Sequence, residues 1–196
     1  MTAEARREQI LDIAHTIITA EGFHAATPNR IADAAGVNRS LLYQQFGDLP
    51  GLFVALINRE TQRAAFQFAD AVSAGNDSDT GDSPALHAFD SLLRAVDAHP
   101  ATWRLFLFPP QGAPPELYER LAESQDVVRK YFVGLLLDIY PDLEDPEYTA
   151  RILHAAGQEL LQLRLTDPES ATHERLRALV RRLSSELVQR IRPGRS

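Results

Sequence analysis

In four places along the chain a short oxygen-bearing side chain stands immediately before a proline: Thr27-Pro28, Ser83-Pro84, Asp145-Pro146 and Asp167-Pro168. Such an oxygen can accept a hydrogen bond from the free N–H groups of a first helical turn, and proline at the first helical position gives up only an N–H that has no partner there. Each pair therefore reads as a helix start. The segments between them repeat apolar residues with the helical period, and no stretch shows convincing strand alternation. A chain punctuated in this way is expected to be all-α.

The first helix is expected over Ala3 to Glu21, with Ile10, Ala14, Ile17 and Ile18 on one face. Gly22 ends it and Phe23 folds back onto that face. Thr27 and Pro28 start a short helix carrying Ile31, Ala32 and Ala35 and ended by Gly36, and Asn38 caps the next. Two short helices joined by Gly36, Val37 and Asn38 have the length and chemistry of a helix-turn-helix. A fourth helix is expected from about Pro50 to Ala74, followed by GNDSDTGDS, Gly75 to Ser83, which has no hydrophobic residue and reads as a mobile loop. Further helices run from Pro84 to about His99, Pro115 to Tyr140, Pro146 to Thr166, and from Asp167-Pro168 to near Arg192. The apolar segment TWRLFLF and the break PPQGAPP separate the first two of these.

Composition narrows the class. With 196 residues, 44% of them apolar, the chain can bury a sizeable core as one domain or two small ones. It has no cysteine, which excludes a disulfide framework and thiolate metal sites and is compatible with the cytoplasm. Its first twenty residues match neither a secretory signal nor a transit peptide, and no run approaches the roughly 18 apolar residues of a membrane span. The net charge of −7 weighs against a nucleic-acid partner only if the charge is spread evenly, so a locally suited face must carry any such function.

The third helix, VNRSLLYQQF from Val37 to Phe46, supplies that face. At 100° per residue, Leu42 and Phe46 share one side while Ser40, Leu41 and Gln44 lie opposite, flanked by Arg39, Tyr43 and Gln45. With Leu42 and Phe46 packed inward, the other side projects as a ridge fitted to a major groove. Gln44 can both donate to and accept from adenine, Arg39 can reach guanine or a phosphate, and Leu41 can meet a thymine methyl group. The hydroxyls of Ser40 and Tyr43 suit phosphate oxygens. The alternative is a three-helix packing motif with a polar outer face.

The segment RREQILDIAHTIITAEGFHAATPNRIADAAGVNRSLLYQQFGDLPGLFVALI, Arg6 to Ile57, resembles the DNA-binding domain of the TetR family of transcriptional regulators. The resemblance rests on Ile10, Leu11, Gly22, Phe23, Thr27, Ile31, Ala32, Ala35 to Val37, Leu42, Tyr43, Phe46 and Leu52, and covers about a quarter of the chain. It implies a helix-turn-helix DNA-binding domain over 1–48 and a helical ligand-binding and dimerisation domain over 49–196. It further implies a homodimer on a palindromic double-stranded operator, released when a small molecule binds, with no cofactor. The DNA-binding candidates are Thr27, Asn38, Arg39, Ser40, Leu41, Tyr43, Gln44 and Gln45, with Tyr43 on a phosphate. The chain departs from the family at Pro28 and Asn29, at Gln45 where a histidine is common, and at Leu49 where a lysine is usual. Residues 1–60 hold five bases against seven acids, which predicts a shallow salt dependence of DNA binding.

For the C-terminal part, the aromatic residues Phe89, Trp103, Phe106, Phe108 and Tyr131, with His154 and Gln158, are the candidates for holding a hydrophobic or aromatic effector. Plain core packing is the competing reading for each. The helix from Pro146 is apolar on more than one side, and the last helix carries a near-heptad stripe. Leu160, Leu161, Leu176, Val180, Leu183 and Leu187 are therefore expected at a four-helix dimer interface, with Gly157 allowing close approach. Neither a nucleophile, a paired-carboxylate site nor a phosphate loop is recognisable, so no catalytic residue is expected. His87 and Asp90 are helix-spaced as a metal pair would be, but placement at the surface or in the core is the simpler reading, and no metal site is expected. The rival to a regulator is a helical dimer that binds protein partners and has lost DNA binding.

Overall fold

The computed structural model describes residues 2–76, 83–110 and 112–191, with side chains at 74–76, 84 and 184–191 left out of the description. Among the described residues all regular structure is helical: α1 (Ala3–Glu21), a 3-10 turn (Phe23–Ala25), α2 (Pro28–Ala35), α3 (Arg39–Phe46), α4 (Leu49–Asn76), α5 (Pro84–Ala98), α6 (Pro100–Leu107), α7 (Pro115–Ile139), α8 (Pro146–Thr166) and α9 (His173–Ile191). The TWRLFLF segment thus lies in a short helix, α6, as far as Leu107. The fourth helix runs two residues past its expected end, and the loop expected beyond it lies mostly outside the described residues.

The chain divides into two compact units, Met1–Ala65 with Ala101–Ser124, and Phe66–Pro100 with Gln125–Ser196. In the first unit, Ile10, Ala14 and Ile18 of α1 meet Phe23, Ile31, Ala32, Ala35, Leu42, Leu52, Leu56 and Ile57 in one core, joined by Leu105, Leu117 and Leu121. Each large side chain so buried contributes about 1.5–3 kcal/mol. A charged hub lies beside this core. The Glu60 carboxylate is fully buried, accepts from the Thr102 hydroxyl at 2.5 Å, and pairs with Arg59 at 2.8 Å and Arg63 at 3.0 Å. His15 stands 3.6 Å from it and places its other ring nitrogen 3.2 Å from the Ala101 carbonyl. The hub therefore ties α1, α4 and α6 with polar contacts that periodicity does not reveal.

In the second unit α5 packs against α8 and α9. Leu86, Phe89, Leu93 and Val96 are buried on α5, Leu160, Leu161 and Leu165 on α8, and Leu176 on α9. Arg164 grips Asp97 through two hydrogen bonds of 2.8 and 2.9 Å, and His173 reaches the same carboxylate at 2.7 Å.

One expected helix cap and one expected helix start are revised. Asp145 adopts a left-handed conformation (φ 53°) and its side chain makes no capping bond, although α8 begins at Pro146 as expected. Asp167 caps a turn, accepting from the Ser170 N–H at 3.1 Å, and α9 begins only at His173 under a cap from Thr172. Arg164, itself held by Asp97 of α5, donates to the carbonyls of Pro168 and Ala171 at 2.8 and 3.2 Å, holding that segment as a turn.

Candidate nucleic-acid interface

The α2–α3 corner is built by local chemistry. Thr27 accepts from the Arg30 N–H at 3.3 Å and opens α2, while Gly36 at φ 63° closes it in the left-handed conformation that glycine adopts without a steric penalty. Val37 N–H then returns to the Ala32 carbonyl at 3.0 Å, and Asn38 Oδ1 accepts from the Leu41 N–H at 2.8 Å to open α3. Asp48 does the same for α4, accepting from the Gly51 N–H at 2.7 Å.

On α3, Leu42 is buried and Phe46 is half-buried against the core. Asn38, Arg39, Ser40, Tyr43 and Gln44 are exposed, as is Thr27 at the head of α2, whereas Leu41 and Gln45 are half-buried. The outward ridge thus holds Ser40 and Gln44 with Arg39 and Tyr43 beside them. Leu41 is less exposed than its helical angle suggests. Arg39 donates to the Tyr43 hydroxyl at 2.7 Å and lies 5.6 Å from its ring centre, so the two side chains act as a coupled pair.

Charge around the ridge is sparse. Arg30 is bound to Glu21 by a close bidentate pair, whose hydrogen bonds hold the Glu21 carboxyl below its ordinary range. Leu49, standing where the resemblance implies a lysine, packs against the core beside Leu52. Arg7, which enters the sequence reading only as one charge in a count, reaches the carboxyl end of α3: it donates to the Gln45 carbonyl at 2.8 Å and lies 4.3 Å over the Phe46 ring. No local spacing flags that contact, because 38 positions separate its partners.

The proposed effector residues fall into both units. Trp103, Phe106 and Phe108 belong to the first, and Phe89, Tyr131, His154 and Gln158 to the second. Phe106 is packed on the first core, and Phe108 edges an open cleft of about 330 Å³ that Ile18, Glu21, His24, Arg104 and Leu105 also line. In the second unit Phe89 is buried, Tyr131 stands edge-on to Phe68 at 5.7 Å, and Gln158 is half-buried. Burial pushes the Tyr131 hydroxyl pKa up, and burial with the nearby Arg129 charge pushes His154 down. His87 lies 3.2 Å from the Ser83 carbonyl and Asp90 pairs with Arg177 at 3.1 Å, so each member of that spaced pair has another partner.

Of the residues expected at a dimer interface, Leu160, Leu161 and Leu176 are buried within the second unit, Val180 is half-buried and Leu183 is exposed. The side chain of Leu187 lies outside the described residues. The large apolar side chains left uncovered on α8 are others: Tyr148 at 69%, Ile152 at 70% and Leu163 at 41% exposure.

Comparison with known proteins agrees with this geometry. Residues 10–56 match the model of "Bacterial regulatory proteins, tetR family". Over 90 residues the chain is 31% identical to the HTH-type transcriptional activator FasR of Mycolicibacterium smegmatis, a match covering 46% of this chain and 41% of that protein. Over 61 residues it is 39% identical to the HTH-type transcriptional repressor Rv1474c of Mycobacterium tuberculosis, covering 31% of this chain and 33% of that one. The chain therefore spans less than half the length of these curated relatives. In structure it is similar to a TetR-like transcriptional regulator from Rhodococcus sp. RHA1, with a TM-score of 0.70, 25% identity, and coverage of 91% of this chain and 95% of that one. The helix-turn-helix segment of this chain thus matches the model of the tetR family, and its all-helical fold is similar along most of its length to that of a TetR-like regulator.

Proposed function

We propose that this protein is a cytoplasmic, non-enzymatic, DNA-binding transcriptional repressor that grips a palindromic operator as a homodimer and leaves it when a small apolar or aromatic molecule binds. The observation that carries the reading is the division of α3 into an anchored side, Leu42 and Phe46, and an exposed side bearing Arg39, Ser40, Tyr43 and Gln44. Gln44 suits adenine and the Arg39–Tyr43 pair suits a phosphate. The uncovered Tyr148, Ile152 and Leu163 of α8 with Leu183 of α9 support a second copy as the partner, and a side chain added at Gly157 would meet only open space within this chain.

Effector binding is placed in the second unit, around Tyr131, His154 and Gln158, which combine aromatic surface with half-buried polar groups. The proposed lever is α4, whose residues are divided between the two units. A ligand that prefers the DNA-incompetent arrangement by ~3 kcal/mol lowers operator affinity ~150-fold.

The test is selection of random duplex DNA by the purified protein at low salt. A palindrome with half-sites one helical turn apart, about 34–36 Å, or a multiple of it is the expected outcome. A folded dimer that enriches no motif, before or after unfolding and refolding to strip ligand, would overturn the reading. It would favour the second one, a protein-binding helical dimer, for which Asp48 and Leu49 at the start of α4 speak by removing a phosphate-binding cation.

A further inference from the structure

We propose that Arg7 is a positioning residue that sets the roll and tilt of the recognition helix, an inference that rests on α3 being the DNA-reading element. The need for such a residue follows from the size of α3. It has eight residues, too few to hold a helix by itself, and its orientation therefore comes from tertiary anchors. Leu42 is its one buried side chain. With one buried leucine and a half-buried Phe46, the roll of the helix depends on how Phe46 is seated.

The amino end of α3 is fixed by the Asn38 cap and the turn from α2. The carboxyl end is fixed by Arg7. One guanidinium makes two contacts there: an N–H donates to the Gln45 carbonyl at 2.8 Å, and its Cζ lies over the Phe46 ring, 4.3 Å from the ring centre. The Gln45 carbonyl is one of the last-turn acceptors with no partner inside the helix, and a cation at that end complements the helix dipole. No carboxylate among the described residues pairs with Arg7, while Arg59 and Arg63 take Glu8, Asp12 and Glu60. The Arg7 charge is thus directed to α3 although acids outnumber bases in this segment.

From the other side, α4 closes on the same residue. A side-chain carbon placed on Gly51 would come within 2.2 Å of the Phe46 carbonyl oxygen, so the backbone of α3 approaches α4 at a distance only glycine permits. Phe46 is thus contacted through its ring from α1, while its carbonyl lies close against Gly51 of α4. Side-chain tips lie about 6 Å from a helix axis, so a roll of about 20° displaces them by roughly 2 Å, more than a hydrogen bond tolerates. Loss of Arg7 would therefore misplace Gln44 and Tyr43 without touching either.

Two variants and two readouts test this. Arg7→Lys keeps the charge but cannot make both contacts, and Arg7→Ala removes them. In DNA-free protein, amide hydrogen exchange in the last turn of α3, residues 43–47, is expected to quicken about tenfold in both variants, from one hydrogen bond and one stacking contact, while α1 and α2 exchange as before. On the selected duplex, affinity is expected to fall about tenfold with an unchanged salt slope. A slope shallower by about 0.9 per subunit would mean that Arg7 itself holds a phosphate, and would overturn the positioning role. Unchanged exchange in α3 would overturn it too, as would exchange that quickens equally in α1 and α2, the mark of general destabilisation. If the wild-type protein selected no DNA, the proposed function would fail by itself, and the exchange measurement would still decide whether Arg7 orients α3.

Discussion

The two compact units bury their apolar side chains to different degrees. The first closes on itself: Ile10, Ile18, Ile31, Leu52, Leu56 and Ile57 are almost wholly buried, and Glu60 is satisfied beside them by Thr102, Arg59 and Arg63. The second leaves Phe66, Val127, Leu137, Ile139, Tyr148, Ile152, Leu163 and Leu183 exposed, against Tyr43, Phe108 and Tyr118 in the first. Of these, Tyr148, Ile152 and Leu163 share α8, and cover by a second copy is the proposed reason for their exposure. The contrast teaches that the unit carrying the helix-turn-helix is specified by one chain, whereas the second unit is expected to reach its stable form with a partner.

The largest effect that would break this contrast is at the hub. Glu60→Ala takes from Arg59 its buried partner and from the Thr102 hydroxyl its acceptor, and is expected to cost about 3–5 kcal/mol in urea unfolding, because breaking a buried pair is penalised far more than an intact pair is rewarded. A loss below about 1 kcal/mol would show that water screens the hub.

In the second unit, Ile152→Asp should leave the stability of the isolated subunit within about 0.5 kcal/mol, since the side chain is already 70% exposed. The same change should raise the dimer dissociation constant at least tenfold in sedimentation, roughly the 1–3 kcal/mol of one interface contact. Dimerisation unaffected by it would move the interface off this stripe.

Acid should act on the units through different groups. Burial pushes the His15 pKa below its ordinary value, with the Glu60 charge only partly offsetting it, and burial does the same to His154. The unfolded chain then takes up these protons first, so stability is expected to be constant at neutral pH and to fall as pH drops below about 6.5. Glu60 opens a second, lower window: burial raises its pKa, but the Thr102 hydrogen bond and the His15, Arg59 and Arg63 charges outweigh burial and hold it down. Its contribution is lost as pH falls through that depressed value. Replacing His15 by Gln should flatten the upper window for the first unit alone, and replacing His154 should do so for the second. Denaturation midpoints measured across pH for each variant check this.

The smallest effect is expected at Asp97. Its carboxyl is held below its ordinary range by the Arg164 and His173 hydrogen bonds, but it is more than a third exposed, so Asp97→Asn should cost at most about 1 kcal/mol by thermal unfolding. A larger loss would mean that this pair, and not the buried leucines, holds α9 in place.

Much of the helix-turn-helix half was legible because its signals are local. A cap and its helix lie within three residues of each other, so Thr27, Gly36 and Asn38 mark α2 and α3 wherever the rest of the chain goes. Leu42 inward and Gln44 outward follow from the helical period alone. By itself, then, the sequence determined the helical class, the corner between α2 and α3, and the side chains that face outward from it. Tertiary structure alone decided which side of the doubly apolar α8 lies inside, since Leu160 and Leu161 are buried where Ile152 and Leu163 are not. It also fixed Arg164 on Asp97, 67 positions away, from where Arg164 takes the carbonyls after Asp167 and Asp167 opens a turn. The reach of Arg7 to Gln45 and of Glu60 to Thr102 belongs to the same class. Those contacts join residues 38 and 42 positions apart, and a distance that long is closed only by the packing of helices, not by any pattern within one of them.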